Sequence, residues 1–288
     1  MAKVSEKAIG LRENWWRILL IAIVISVFYA LVHGLLPSDN NSTIVPSAIA
    51  QQGLLPIAFI LYGVLWFALL GCVFVLLQSR LPGGKMARGL TFGAFFCAII
   101  FMVYFEPLPN VSSFYVNMAW MLGDGLPLIL LGLVLGLFII AEKPAKTPLN
   151  LERKNVLLTS IILLFAVPLV FVIGRLFAYI VLGLYSSFYT QTAQTLGWVL
   201  AFGVGMGILY TILRPAFKKT SPFKTALFFG VGVFGVYLLL FNFAYFLIAS
   251  LPFSGYLDLV ARTAIDVISV TLGVLLLEYV NMKLTKTT

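Results

Sequence analysis

Charge is scarce in this chain. Of 288 residues only 10% are Asp, Glu, Lys or Arg, while 61% are hydrophobic. A soluble domain carries about 25% charged residues. A water-soluble fold of this length could not cover its surface with so few ionised side chains. Soluble enzymes, nucleic-acid-binding modules and disordered tails are therefore excluded. Cysteine occurs twice, at Cys72 and Cys97, each inside an apolar run. That removes a disulfide framework and a thiolate metal cluster. Histidine occurs once, at His33, too few for paired-imidazole haem ligation or a His-rich metal site. No H-E-x-x-H is present, and no Ser, His and Asp set with a nucleophile setting assembles around His33. No catalytic residue, metal or cofactor is expected.

What the sequence does have is long apolar runs. A bilayer core of about 30 Å takes roughly 20 helical residues. Eight runs meet that length: 16–36, 54–78, 88–106, 122–141, 156–184, 195–213, 225–250 and 259–281. Backbone polar groups in lipid must pair within their own segment, and no alternating strand pattern competes. The expectation is an all-α integral membrane protein of about eight transmembrane helices. Every basic residue except Arg175 and Arg262 falls at a terminus or in alternate connections, on one side of the membrane. By the positive-inside rule both termini are cytoplasmic, most simply in a prokaryotic cytoplasmic membrane. The basic clusters act as topology determinants and can also touch anionic lipid.

The basic start, the first apolar run and Ala48-Ile49-Ala50 resemble a secretory signal with its cleavage site. The run is long enough to span, which favours a retained helix. The sequons at Asn40-Asn41-Ser42-Thr43 and Asn110-Val111-Ser112 would matter only in a eukaryotic secretory pathway.

The halves of the chain resemble each other. Gly63, Gly71 and Arg80 match Gly197, Gly205 and Arg214 at identical spacing. Leu90-Thr91-Phe92-Gly93 matches Leu227-Phe228-Phe229-Gly230, Arg12 and Asn14 match Arg153 and Asn155, and Leu108-Pro109 matches Leu251-Pro252. The order of these matches points to a duplication. A four-span unit returns the chain to its starting side, so the two repeats share one orientation about an axis along the membrane normal. Residues 1–142 form the first repeat, 143–154 a polar cytoplasmic connector and 155–288 the second repeat.

Helix packing in lipid relies on small residues that let backbones approach. Gly197, Ala201 and Gly205 on one span, and Gly132 and Gly136 on another, are the expected seams. Gly230-Val231-Gly232-Val233-Phe234-Gly235 formally fits the dinucleotide fingerprint, but it lies inside a spanning run with no acid before Asp258. It lacks the strand and the water-facing helix start that such a site needs. Trp15, Trp16 and Trp120 lie near expected membrane interfaces. Pro168 should bend its span.

The few intramembrane polar residues concentrate towards the extracytoplasmic side: His33, Glu106, Asp124, Arg175, Asp258, Arg262 and Asp266. Asp266 lies about 12 Å along its helix from Asp258, at 1.5 Å per residue. An unpaired charge at bilayer depth costs between about 3 and more than 10 kcal/mol. Asp258, Arg262 and Asp266 share a helix face at i, i+4 and i+8, so Arg262 can bridge both carboxylates. Arg175 has no partner on its own helix and needs Asp266 or Asp124 from another. Asp124, with Gly123, Gly125 and Pro127 around it, can equally be a helix N-cap. Glu278 is expected to reach Lys283 or another base at the inner interface.

Two functions fit. One is a transport-type protein, a permease or a membrane subunit, with a polar site between the repeats for a small polar or anionic solute or a lipid headgroup. There Arg175 would contact the anion and Asp266 would be its counter-ion. The other is a non-catalytic accessory subunit packed against other membrane subunits, with the same charges fixing helix register. Besides possible subunits, the partner in both is the lipid bilayer.

Overall fold

The computed structural model describes residues 11–37, 45–78, 81, 83–109, 114–139, 153–214, 217 and 221–287, with the backbone alone for 153–164 and 284–287. The connector and both sequons lie wholly or largely outside these residues, as does Arg80 of the repeat comparison.

Every long element is helical, because each apolar run must satisfy its own N–H and C=O groups. Among the described residues seven helices are long and apolar enough to cross a membrane. They are α1 (Leu11–Leu35), α3 (Leu55–Leu77), α4 (Lys85–Tyr104), α5 (Phe114–Ile139), α7 (Thr192–Leu213), a compound helix Pro222–Ile248 and α10 (Phe253–Thr287). The compound helix is α8 (Pro222–Leu227), a π-helical stretch Phe228–Gly235 and α9 (Val236–Ile248). A further helix, α6 (Arg153–Leu176), continues through a π-helical turn at Phe177–Val181 and supplies an apolar segment over Phe165–Val181. Gly183, at φ +62°, takes the left-handed conformation that a side chain resists just after that turn. The short α2 (Ala48–Gln51) is capped by Ser47, whose Oγ accepts from Ala50 N at 3.1 Å. Ala48-Ile49-Ala50 thus stands in a helical turn. That turn is tied to the end of α9 through Ser47 N to Ile248 O at 2.9 Å and Ser250 N to Val45 O at 2.8 Å.

The helices form two groups. In the first, α1 packs on α3 and α5, and α4 packs on α5; in the second, α6 packs on α7 and α10, and the compound helix packs on α10. The groups meet where α3 lies against α9 and α4 against α7. Trp66, Phe96 and Tyr237 are fully buried at this junction, with Tyr237 4.8 Å from Phe96 and 5.8 Å from Trp66 between ring centroids. Among the hydrogen bonds that cross it, Tyr62 Oη donates to Leu240 O at 2.6 Å, and Trp198 Nε1 donates to Met102 O at 2.7 Å.

Glycine sets the closest helix approach. A Cβ placed on Gly93 would lie 2.6 Å from Leu128 O, and one on Gly136 would lie 2.6 Å from Lys85 O. Together with Gly89 and Gly132 they interlock α4 and α5 backbone to backbone. The seam expected at Gly197 and Ala201 is corrected: both are exposed, and a Cβ on Gly197 would meet nothing within 4 Å. Gly205 instead abuts the Met102 side chain, and the close backbone approach on α7 is one residue stripe away, where Gly203 faces Pro168 Cα. Pro168 is accommodated within α6 by that glycine. Gly230, from the rejected fingerprint, packs on Thr271 of α10.

Helix limits differ from the hydropathy reading where polar residues sit inside helices. α5 begins at Phe114, eight residues before the apolar run, so Asp124 lies mid-helix and is not an N-cap. α10 extends over 35 residues. Trp15 and Trp16 are exposed, whereas Trp120 is half-buried, donates to Pro37 O at 3.1 Å and meets His33 edge-on at 5.2 Å.

Candidate functional site

The bundle has two chemically different ends. One carries Arg214 and Glu278, paired at 2.6 Å, with Tyr210 Oη donating to Glu278 at 2.7 Å. Glu278 therefore takes Arg214, while Lys283 lies over the Tyr279 ring at 5.0 Å. The other end carries Glu106 and every remaining candidate, arranged as two buried ion-pair centres.

The first centre joins α1 to α5. His33 Nε2 lies 3.0 Å from Asp124 Oδ1, with the side chains 5% and 3% exposed. His33 Nδ1 lies 2.9 Å from Tyr29 O. A carbonyl can only accept, so Nδ1 is the donor in that contact. Tyr29 Oη donates to Asp124 Oδ1 at 3.1 Å and Tyr104 Oη donates to Oδ2 at 2.5 Å. Three donors thus satisfy one buried carboxylate, which is how its desolvation is offset. Hydrogen bonds to charged groups contribute about 1.5–3 kcal/mol each. Tyr29→Phe and Tyr104→Phe should each destabilise the protein by that amount in chemical unfolding in micelles. If both variants unfold like the parent, Asp124 is not held in this way.

The second centre joins α6 to α10 and takes in the end of α4. Arg175 grips Asp266 with two bonds, Nε to Oδ1 and Nη2 to Oδ2, each 2.6 Å. Its Nη1 donates to Glu106 Oε1 at 2.6 Å and to Tyr179 Oη at 3.2 Å. The guanidinium lies over Trp198 at 4.9 Å, a stacking partner suited to a planar cation. Arg175 and Asp266 are 3% and 4% exposed. Arg175 thus finds the inter-helix carboxylate its helix could not supply. The role foreseen for it as an anion contact does not fit, because its donors are directed at carboxylates and a tyrosine. Arg262 departs from the expected bridge as well: it lies 3.9 Å from Asp258 and 3.6 Å from Glu106, with no ion pair to Asp266. Glu106 was among the polar residues singled out from the sequence, but helix spacing did not foresee it as a partner of Arg175, a contact that crosses from the first helix group to the second. Asp258 accepts from Tyr185 N at 2.6 Å, fixing the α6–α7 connection.

Above both centres is a cleft of about 860 Å³. One wall comes from the end of α4 and the start of α5, including Tyr104, Glu106 and Met118; the other comes from the α6–α7 connection and α7, including Ser187, Gln194 and Trp198. Tyr104 reaches the first centre and Glu106 the second. Among the described residues no group of three His, Cys, Asp or Glu could hold a metal ion. The sequence did not reveal the cleft, because its lining is drawn from three separate stretches of the chain, 104–109, 114–121 and 187–198, and most of its polar residues are uncharged.

Fold and site together define a polytopic membrane protein with paired charges buried at one end. No protein family, curated protein or solved structure matches the chain.

Proposed function

We propose that the chain is a transport-type membrane protein, a small permease or the membrane subunit of a transport system, with its polar site between two four-helix repeats. In this reading α6 is the eighth span, residues 1–142 and 155–288 are the repeats, and 143–154 is their cytoplasmic connector. Internal symmetry supports it. The pairings α1–α3, α4–α5 and α1–α5 recur as α6–α7, compound helix–α10 and α6–α10. The glycines at 93 and 230, matched by sequence, pack on Ile129 and Thr271 of corresponding helices. His33–Asp124 and Arg175–Asp266 join the first and last helix of each repeat. The bonds from Tyr62 and from Trp198 across the junction run between near-equivalent positions. Two repeats of one orientation related by an axis along the membrane normal are a recurring plan of carriers. Arg12, Arg17, Lys85, Arg88, Arg214, Lys224 and Lys283 lie towards helix ends on the Glu278 side, which supports reading that side as cytoplasmic and the cleft as extracytoplasmic.

One observation carries the reading: the Glu106–Arg175 ion pair, at 2.6 Å, ties the first repeat to the second beside the open cleft. A charge pair across a repeat interface is an element that a solute can compete for, which gives ligand binding a hold on repeat movement. The bidentate, dry Arg175–Asp266 pair within one repeat favours the second reading, an accessory subunit whose charges fix helix register.

Thiol accessibility separates them. With Cys72 and Cys97 replaced by Ala, Gln194→Cys should react with an impermeant maleimide from the extracytoplasmic face. Met206→Cys, buried in α7, should become reactive from the cytoplasmic face as the repeats rock. A Met206→Cys variant inert from both faces, with or without a metabolite extract, would refute the carrier in favour of the accessory subunit.

A further inference from the structure

The chemistry of the cleft indicates what it holds. Its lining carries one charged residue, Glu106, and no Lys, Arg or His. The remaining polar groups are amides and hydroxyls, among them Asn117, Gln191, Gln194 and Thr190. Glu106 Oε1 faces both guanidiniums, Arg175 at 2.6 Å and Arg262 at 3.6 Å, while no hydrogen bond from the described residues reaches Oε2. Behind it, two guanidiniums, Arg175 and Arg262, face three carboxylates, Glu106, Asp258 and Asp266. The group carries one excess negative charge in a setting where charge is poorly screened. An anion entering the cleft would meet that excess; every donor nitrogen of Arg175 is already committed, and Arg262 Nη1, which has no hydrogen-bond partner among the described residues, faces Glu106 Oε1 at 3.6 Å.

A second observation is independent of charge. Ser187 lines the same cleft, is 1% exposed, and its Oγ has no hydrogen-bond partner. A buried hydroxyl left unpaired costs free energy unless something in the site engages it. Along the wall, Phe114, Met118 and Met121 offer apolar surface.

We propose that this cleft binds a protonated primary alkylamine. The ammonium supplies donors to Glu106 Oε2 and Ser187 Oγ, and it cancels the excess carboxylate charge. Its alkyl chain lies on the phenylalanine and methionines. A quaternary ammonium balances the charge without donating, and a neutral alcohol donates without balancing the charge, so each satisfies half of the site. The amine assignment refines the transport reading by giving its cleft a substrate class, though binding itself does not depend on movement.

The test uses the full chain in lipid nanodiscs, with the fluorescence of Trp198 and its neighbours as readout. Four probes of similar size are titrated: n-butylammonium, choline, n-butanol and butyrate. Saturable binding of n-butylammonium, at least tenfold tighter than choline or butanol and with butyrate inert, is the expected pattern. Glu106→Gln should weaken n-butylammonium by about tenfold or more, the loss of a charge-assisted hydrogen bond. Ser187→Ala should weaken it several-fold without lowering thermal stability, since that hydroxyl has no hydrogen-bond partner among the described residues. If Glu106→Gln fails to fold, Ser187→Ala and the probe series on the parent chain still decide. Butyrate binding as tightly as the amine, equal binding of all four probes, no saturable binding, or an unchanged Ser187→Ala would each overturn the assignment. Proteoliposome flux is measured separately. Amine bound but not moved refutes the carrier and leaves the site, whereas flux of another solute without amine binding refutes the site and leaves the carrier.

Discussion

Arg175→Gln should cost about 3–5 kcal/mol of stability, the range for removing one partner of a buried ion pair. The substitution leaves Asp266 and Glu106 facing each other without the cation that holds both. Asp266 is 4% exposed, so water does not replace the lost donors. The double variant Arg175→Gln/Asp266→Asn should lose clearly less than the sum of the single losses, because the neutral pair can still hydrogen-bond and the stranded charge is gone. Contacting residues couple by about 0.5–3 kcal/mol, and this pair belongs at the upper end. Unfolding in mixed micelles, followed by tryptophan fluorescence, gives all three numbers. Additive losses would mean that Arg175 and Asp266 do not hold one another.

A comparably large effect is expected far from any charge. Gly132→Ala adds a single methyl group where Gly93 N and Gly93 Cα stand 2.7 and 2.8 Å from the new carbon. Both are backbone atoms and cannot turn aside, so α4 and α5 must move apart. Overpacking of this kind costs about 1–3 kcal/mol in a well-packed interior, and the larger Gly132→Val should prevent folded protein from accumulating. Gly197→Ala is the control. Its Cβ meets open space on an exposed face, and a change within about 0.5 kcal/mol is expected. Thermal melts of the purified variants test the contrast; equal melting of Gly132→Ala and Gly197→Ala would show that α4 and α5 do not interlock at these glycines.

The contrast between these glycines also marks how far the sequence could be read. Membrane class and helical architecture follow from composition and run length, because lipid imposes the same backbone rule on every span. Among the described residues seven helices meet that test, and α6, a helix over Arg153–Leu176, follows the apolar run that begins at 156. Spacing could not say which small-residue stripe faces protein: Gly132 and Gly136 meet a glycine pair on α4, while Gly197 and Ala201 are exposed. A glycine stripe looks the same in sequence on either face.

The polar residues follow a similar division. The need of Arg175 for a carboxylate from another helix was legible, because an unpaired guanidinium in hydrocarbon is prohibitive. The choice of Asp266, and the addition of Glu106, depend on where helix ends meet. Asp124 was ambiguous because glycines and a proline around an acid resemble a helix start. Its true setting, with donors from Tyr29, His33 and Tyr104, is assembled from three helices and leaves no local signature. The 860 Å³ cleft was invisible for the same reason.

Tyr104 and Glu106 stand two residues apart where α4 gives way to its loop, one bonded to Asp124 and the other to Arg175. That short stretch works as a yoke. A force that tilts it stretches a tyrosine–aspartate bond and a glutamate–arginine bond at the same moment. Vibrational bands of the two carboxyl groups should therefore move in concert when the yoke is displaced, even though one is bonded within the first helix group and the other to an arginine of the second.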